Sequence, residues 1–321
     1  MRQTVRNRPA FAPRSLKLVE TGFHLPGLGL RVNYISLLAI VFDLRNCAAH
    51  GQGGNMTDQL VTYELEDDIA LIGLNRPDKR NAINDETNRQ LRAALTQANE
   101  EAKAGVIFGH GDNFSAGLDL AEALSWINAD PSAKRRRRGH WHPTLDIMAR
   151  GGVPFVAALK GACIGGGLEV ASAAHIRVAD ETTFFALPEG QRGIFVGGGG
   201  SVRIQRLMGY ARMADLMLTG RVLTAEEGEK YNLCQYVTPK GESLERAKSL
   251  AKRIAKNAPL TNWAICACLP RVNDAAHEDG LFMETLISQA VSSTRSEEGL
   301  KAFVEKRAAR LVEPGKSGDE G

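Results

Sequence analysis

Two glycine-containing turns, each between a predicted strand and a predicted helix, are the segments of this sequence best suited to catalysis. The first turn, Phe114–Leu120, follows the apolar run Val106–Phe108, and the second, Lys160–Glu169, follows Val153–Leu159. A helix N-terminus presents unpaired N–H groups and a partial positive charge, and glycine lets a ligand approach the backbone closely. Two such turns brought together would point two N–H groups at one oxygen atom, which is the arrangement of an oxyanion hole.

A carboxylate follows the second turn at a position where it could act as an acid or a base. Glu169 lies in the first turn of a predicted helix, Leu168–Ala174, whose other residues are small or apolar. An acidic residue in a first turn also stabilises a helix through its dipole, and a glycine run can serve only to bring a strand and a helix close together. On the residues alone, both explanations stay open.

Several motifs together give the chain a close resemblance to the crotonase superfamily, the enoyl-CoA hydratase/isomerase family. They cover about residues 58–312 and stand in the family's order. In this sequence they are the N-terminal motif Asn75–Asn84, the two oxyanion turns Phe114–Leu120 and Gly161–Glu169, the second acidic segment Leu187–Glu189, the glycines Gly193 and Gly197 that follow it, and the C-terminal helix Glu298–Arg307.

The resemblance implies an active site for a coenzyme A thioester. The N–H groups of Leu118 and Gly166 would bind the thioester oxygen, and Glu169 and Glu189 would flank a water molecule as the acid/base pair. Relatives that only move a double bond usually keep one of these acids, so the presence of both favours addition of water across a 2,3-enoyl-CoA. Which glutamate is the acid and which the base stays open.

Binding positions are carried over from the same resemblance. Lys79, Arg80 and Ala82 are similar to the family's CoA-contacting stretch, and Phe303 and Lys306 to positions that contact CoA across a subunit boundary. The resemblance also places Ser115, Ala116, Gly117 and Asp119 among the CoA- or substrate-binding residues, and it implies that the bound water touches the backbone near Gly197. Taken by themselves, Lys79, Arg80, Phe303 and Lys306 are also ordinary surface residues.

The chain departs from the family pattern at three places. Phe195–Gly200 (Phe-Val-Gly-Gly-Gly-Gly) replaces the common Pro-Gly after the second acid, which puts the acyl substrate in doubt. His175 stands where an aspartate is frequent, and a structural role is the simpler interpretation. His140 and His142, beside Trp141, either line the pocket or belong to a loop.

Two further functions remain as alternatives to the hydratase. One is another reaction of the family, namely double-bond isomerisation, decarboxylation or hydrolysis of an acyl-CoA. The other is RNA binding on the same scaffold through the cationic run Lys134–Arg138. The formal net charge is only +3, and no aromatic residue other than Trp141 accompanies that run, so we expect no nucleic-acid partner.

The remaining pattern predicts an α/β protein. Leu60–Leu65 and Ile69–Leu74 form a hairpin signal, and Asn84/Asp85 begin a helix. Asp130–Gly139 is expected to be a solvated loop or helix face. Further predicted elements are strands at Ile176–Ala179 and Thr183–Ala186, a capping box at Thr224–Glu227 with Asn232 closing its helix, and an almost entirely helical stretch at Leu244–Leu311.

The first 55 residues differ from the rest in charge. They hold seven Lys/Arg against two acids, whereas residues 56–321 carry more acids than bases. Such a segment is typical of a transit peptide or of a start codon assigned too far upstream. We therefore expect 1–55 to be a disordered extension and the protein to be cytoplasmic, or of the mitochondrial matrix if the segment is a transit peptide.

Neither a metal nor a membrane is expected. Cys266 and Cys268 would diverge on a helix, and the five cysteines show no disulfide framework, so they are interpreted as free thiols. The longest apolar run, Ile35–Phe42, is too short to span a bilayer. No cofactor is expected, since coenzyme A is part of the substrate.

The resemblance also implies the architecture and the assembly. It predicts a crotonase-type spiral of ββα units over residues 56–250, followed by a C-terminal helical region at 251–321 that completes a homotrimer, commonly paired into a hexamer.

Overall fold

A computed structural model describes residues 59–127, 130, 132, 141–292 and 294–305. The chain begins in it with an antiparallel hairpin of β1 (Val61–Glu66) and β2 (Ile69–Leu74). Asp67 and Asp68 form its two-residue turn with φ of +50° and +65°, the backbone that a tight hairpin needs. The predicted hairpin is confirmed.

The main sheet has six strands in the order β1-β2-β3-β4-β6-β9, and every pair after the hairpin is parallel. All residues of β2 and β4 are buried. Parallel strands covered on both faces read as continuous apolar runs, as these do. The strands are β3 (Ala104–Gly109), β4 (Phe155–Leu159), β6 (Ile176–Asp180) and β9 (Tyr236–Thr238).

A smaller sheet brings the candidate catalytic segments to one place. β5 (Ala162–Ile164) is parallel to β7 (Phe184–Ala186), and β7 is antiparallel to β8 (Val222–Thr224). The carboxyl ends of β5 and β7 lie at the same edge, because parallel strands run in one direction. The residues that follow them, the second glycine turn and Glu189, are therefore neighbours.

Helices connect the strands and form the whole C-terminal part of the described chain, as predicted. A short π-helical turn, Ala264–Cys268, separates the helix Pro259–Trp263 from the helix Leu269–Asp274. The helices are α1 (Asp85–Glu101), α2 (Leu120–Ile127), α3 (Trp141–Arg150), α4 (Gly166–Ala173), α5 (Gly200–Met208), α6 (Tyr210–Thr219), α7 (Ala225–Lys230), α8 (Ser243–Ala255), α9 (Pro259–Trp263), α10 (Leu269–Asp274), α11 (His277–Val291) and α12 (Thr294–Val304).

The helix boundaries follow the predicted capping residues. Asn84 caps α1 by accepting a hydrogen bond from Thr87 N at 2.8 Å. Thr224 and Glu227 form the predicted capping box of α7, and Asn232 beyond it is left-handed at φ +65°. Helix α4 begins at Gly166, two residues before its predicted start, so the glycine run itself supplies the first helical turn.

Two hydrophobic clusters cover the main sheet. The larger contains Leu91 and Leu95 of α1 and the buried faces of α4 and α5. The smaller lies under α8, where Ala247, Leu250 and Ala251 contact the strands. The predicted boundary between the spiral core and the C-terminal helical region, at 250/251, falls inside α8, and α8 packs on the sheet. No helix in the described ranges is both long and apolar enough to span a membrane.

Several expectations concern residues outside the described ranges. These are the extension 1–55, the cationic run Lys134–Arg138 with most of the Asp130–Gly139 segment, His140, and Lys306.

Candidate active site

The first glycine turn is aligned by a short parallel bridge to the N-terminal motif. Ile83 N donates to Gly117 O at 2.7 Å, and Asp119 N donates to Ile83 O at 2.9 Å. These two bonds use the groups on either side of Leu118 and leave the Leu118 N–H directed away from the bridge. Within the described part of the chain, this N–H has no hydrogen-bond acceptor.

Two buried polar side chains hold this turn in place. Asn81 is 1% exposed; its amide accepts from Arg76 N and donates to His110 O and Asn113 O, all at 2.8–2.9 Å. Ser115 is fully buried; its hydroxyl donates to Asn81 O at 2.8 Å and accepts from Gly117 N at 3.1 Å. Since Ser115 is inaccessible, its side chain acts on the position of the turn.

The second glycine turn is hydrogen-bonded to the first. Ser115 N donates to Ala162 O at 2.8 Å, and Ile164 N donates to Ser115 O at 3.1 Å. Gly165 N donates to Ala186 O at 2.9 Å, which joins the turn to the strand before Glu189. The predicted association of the two turns is thus present in the structure.

The Leu118 and Gly166 N–H groups lie next to each other at this junction. A Cβ placed on Gly166 would be 3.3 Å from Leu118 N, and a Cβ placed on Gly117 would be 3.0 Å from Gly166 N. Gly166 is the first residue of α4, so its N–H has no acceptor within the helix. One oxygen atom could accept from both N–H groups, with the N-terminus of α4 adding a partial positive charge.

Glu169 is buried beside this pair, one turn into α4. Its Oε1 accepts hydrogen bonds from Gly198 N at 2.7 Å and Gly200 N at 2.8 Å, and the residue is 4% exposed. Burial raises the pKa of Glu169, while those N–H groups and the nearby charge of Arg203 oppose the rise. The ionised Glu169 carboxylate is therefore buried, and the hydrogen bonds from Gly198 N and Gly200 N stabilise its charge.

Glu189 has a different environment at the carboxyl end of β7. It is 5% exposed, and its Oε2 has no hydrogen-bond partner within the described residues. Burial raises its pKa and the charge of Glu169 raises it further, while a hydrogen bond from its own backbone and the charge of Arg192 oppose the rise. Of the two acids, Glu189 is therefore the one better suited to hold a proton near neutral pH.

Trp141, the first residue of α3, forms one wall of the site. Its ring would be 3.0 Å from a Cβ on Gly166 and 3.1 Å from a Cβ on Gly198. It therefore lies between the junction of the two glycine turns and the segment that holds Glu169. In the segment Phe195–Gly200, which departs from the family pattern, Val196 is buried whereas Phe195 is 70% exposed. The sequence singled out Trp141 only as the neighbour of two histidines.

The predicted CoA-binding residues are placed as follows. Lys79 and Arg80 are exposed, and Ala82 is half-buried, next to the first turn. Asp119 is committed to Arg76, at 3.0 Å, and to the backbone N–H of Ala121 at the start of α2. Its role as a binding residue stays a prediction. Phe303 is 62% exposed on α12, and its role in binding stays a prediction.

The remaining histidine and cysteine predictions concern structure. His175 Nδ1 accepts from Phe155 N at 3.0 Å, and burial lowers the pKa of His175 to about 4, as a neutral structural group requires. Cys163, Cys234, Cys266 and Cys268 are free thiols. Among the described residues, no group of three or more His, Cys, Asp or Glu is placed to hold a metal ion.

Comparison with known proteins gives a consistent result. Residues 64–313 match the family model described as enoyl-CoA hydratase/isomerase. The chain is 30% identical over 260 residues to a probable enoyl-CoA hydratase of Mycobacterium tuberculosis, covering 80% of this chain and 99% of the relative. It is 32% identical to a probable enoyl-CoA hydratase of Rhizobium meliloti, covering 80% and 99%.

Solved structures agree with this fold. A Rhodopseudomonas palustris protein assigned as an enoyl-CoA hydratase superposes with a TM-score of 0.73 at 45% identity, covering 79% of this chain and 98% of that one. The enoyl-CoA hydratase of Bacillus anthracis superposes with a TM-score of 0.72 at 30% identity, covering 78% and 98%. The predicted crotonase-type architecture is confirmed, and the trimer and hexamer stay predictions.

Proposed function

This chain belongs to the enoyl-CoA hydratase/isomerase family, and we propose that within it the protein hydrates the 2,3 double bond of an enoyl-CoA. The observation that carries the proposal is the juxtaposition of two N–H groups, Leu118 and Gly166, that have no acceptor among the described residues, with two buried glutamates, Glu169 and Glu189. A family member that only shifted a double bond would need one acid–base residue, whereas addition of water uses two.

In the proposed reaction, the thioester oxygen accepts hydrogen bonds from Leu118 N and Gly166 N. Water attacks C3 while Glu169, as a carboxylate, takes one of its protons, and enolate charge develops on the thioester oxygen. Glu189, as a carboxylic acid, then supplies the proton to C2. Proton passage from Glu169 to Glu189, directly or through solvent, restores the pair, and the sum is addition of one water.

The assignment of acid and base rests on the unequal surroundings of the two carboxyls. Two N–H groups stabilise the charge on Glu169, whereas Glu189 has a buried oxygen without a partner. Both pKa values are raised by burial. The singly protonated pair, with the proton on Glu189, is the form that these surroundings favour.

The CoA part would bind next to the first turn. Lys79 and Arg80 are exposed cations there, suited to the phosphates of CoA. No resident cofactor is part of the proposal.

The first test is loss of the conjugated thioester absorbance of crotonyl-CoA, followed with the full chain and extended to longer and aromatic enoyl-CoAs. Glu169→Gln and Glu189→Gln should each lower kcat by roughly 10²–10⁴-fold, because each removes a general acid or base. Glu181→Gln, at an exposed glutamate between them in the sequence, is the matched control and should be indistinguishable from the wild type. A wild-type rate in either active-site variant would overturn the proposal.

The pH dependence gives a second, independent test of the assignment. Activity should rise as Glu169 loses its proton and fall as Glu189 loses its own, so the profile of kcat/KM is expected to be bell-shaped. Residual activity of Glu169→Gln should lack the acid limb and that of Glu189→Gln the alkaline limb. The opposite pattern would exchange the two roles.

If crotonyl-CoA binds without hydration and a 3-enoyl thioester is isomerised instead, the protein is a double-bond isomerase of the family.

A further inference from the structure

Arg203 lies behind the segment that holds Glu169, at a position that neither the motifs nor the family resemblance assigned. It is on α5, whose first residue, Gly200, is the last of the glycine run 197–200. The Arg203 side chain is only 18% exposed. One end of the guanidinium donates from Nη2 to Gly198 O, and the other lies 3.4 Å from Asp146 Oδ1 on α3. Its buried Nε has no partner in the described part of the chain.

The guanidinium and the glycine segment are in close contact. A Cβ on Gly199 would be 2.6 Å from Arg203 Nη2 and 2.9 Å from its Cζ. Gly199 has φ +93°, a backbone conformation that favours glycine. The arginine therefore fixes the rear of the segment, while the front of the same segment donates Gly198 N and Gly200 N to Glu169 Oε1.

The charged groups around Glu169 make Arg203 the cation that acts on it. Glu189 faces Glu169 from the end of β7, and Arg203 faces it from α5. Asp146 and Arg150 of α3 act on Arg203, and Arg192 acts on Glu189. Because Oε1 of Glu169 is occupied by two N–H groups, Oε2 is the oxygen left to receive a proton.

We propose that Arg203 is a positioning residue for the hydration reaction: it holds the Gly198–Gly200 segment on Glu169 Oε1 and thereby presents Oε2 to the water. The inference rests on the proposed function. Arg203 touches neither substrate nor water in this arrangement; it acts through the segment and through its charge.

The test compares Arg203→Met with Arg206→Met in the full chain. Arg206 lies on the same helix but pairs with Asp274 at 2.9 Å, half-exposed and away from Glu169, so it is the matched control. Arg203→Met should lower kcat by about ten-fold or more with a smaller change in KM, since it disturbs the position of a general base. Arg206→Met should match the wild type.

The pH profile separates positioning from general loss of structure. Loss of the nearby cation should move the acid limb of kcat/KM upward, and the alkaline limb should stay, because the cation that acts on Glu189 is Arg192. Arg203→Lys keeps the charge but loses the planar two-ended contact, so it should recover the acid limb more fully than kcat. If Arg203→Met does not fold, Arg203→Lys tests the positioning role by kcat: kcat should fall below that of the wild type while the acid limb stays, and a wild-type kcat would overturn the inference.

A titration that does not depend on turnover distinguishes this inference from the proposed function. Carboxyl ¹³C NMR of protein labelled at glutamate, with Glu169 assigned by its loss in Glu169→Gln, reports the ionisation of Glu169 directly. A higher midpoint in Arg203→Met than in Arg206→Met supports the inference even if enoyl-CoA is not hydrated. Equal midpoints together with equal kcat in the two variants would overturn it.

Discussion

The two glycine turns that meet at Leu118 and Gly166 differ in what mainly holds them. The first turn is fixed by side chains: Asn81 and the Ser115 hydroxyl make five hydrogen bonds to the backbone around it. In the second turn, side chains hold only the start, where Gly161 N donates to Thr182 Oγ1 and Ala162 N to Asn113 Oδ1. Its later glycines are instead in close contact with neighbouring groups. A Cβ on Gly165 would be 2.8 Å from Glu189 Oε1, and one on Gly167 would be 2.5 Å from Ser115 O.

This difference determines which changes each turn tolerates. The first turn should be sensitive to removal of atoms, because buried polar groups lose their partners. The second should be sensitive to addition of even one methyl group, because it is already in contact with neighbouring backbone and with the Glu189 carboxyl. The Leu118 and Gly166 N–H groups thus have the same chemistry but should be displaced by different kinds of substitution.

The largest effect is expected for Gly165→Ala in the second turn. Gly165 has φ +52°, and the added methyl would meet the Glu189 carboxyl. Strain should cost about 1–3 kcal/mol of unfolding free energy, and displacement of the Gly166 N–H and Glu189 should lower kcat/KM by roughly 10²–10³-fold. Steady-state kinetics with chemical denaturation measure both.

The control for this prediction is Gly299→Ala, on exposed α12, where an added Cβ meets nothing within 4 Å. It should leave kcat/KM unchanged. A Gly165→Ala protein with the activity of Gly299→Ala would show that the second turn has more room than its contacts indicate.

An intermediate effect is expected for Asn81→Ala in the first turn. The substitution removes three hydrogen bonds of a buried amide, and each buried group left unpaired costs about 1–3 kcal/mol. Since Leu118 N depends on this turn, kcat/KM should fall by about ten-fold. Asn81 also has φ +54°, so Asn81→Gly serves as the comparison: it relieves the backbone but not the hydrogen bonds. Recovery by glycine would assign the loss to backbone strain instead of the amide.

Much of this architecture could be predicted from local pattern. The hairpin, the Asn84 cap, the Thr224–Glu227 capping box and the left-handed Asn232 each depend on a few consecutive residues, and all are confirmed. Because motif order indicated the family, the junction of Leu118 and Gly166 could also be anticipated.

What the sequence did not reveal depends on contacts between distant segments. Arg203 approaches Glu169 only because α5 packs on α4, and Trp141 reaches Gly166 and Gly198 from a third helix. Asn81 stood inside a recognised motif, yet nothing in its spacing distinguished it from the exposed Lys79 and Arg80. A buried asparagine with positive φ is visible only once the chain is folded.

The smallest effect is expected for Ser115→Ala, which removes one hydroxyl from the first turn. Gly117 N loses its acceptor and Asn81 O loses a donor, so unfolding free energy should fall by about 1–2 kcal/mol. The bridge between Ile83 and Leu118 remains, since it is made by backbone alone, and kcat/KM should change only a few-fold. Ser125→Ala, at an exposed serine of α2, is the control. A loss as large as that of Gly165→Ala would mean that one hydroxyl aligns the Leu118 donor, and the first turn would then be the more fragile of the two.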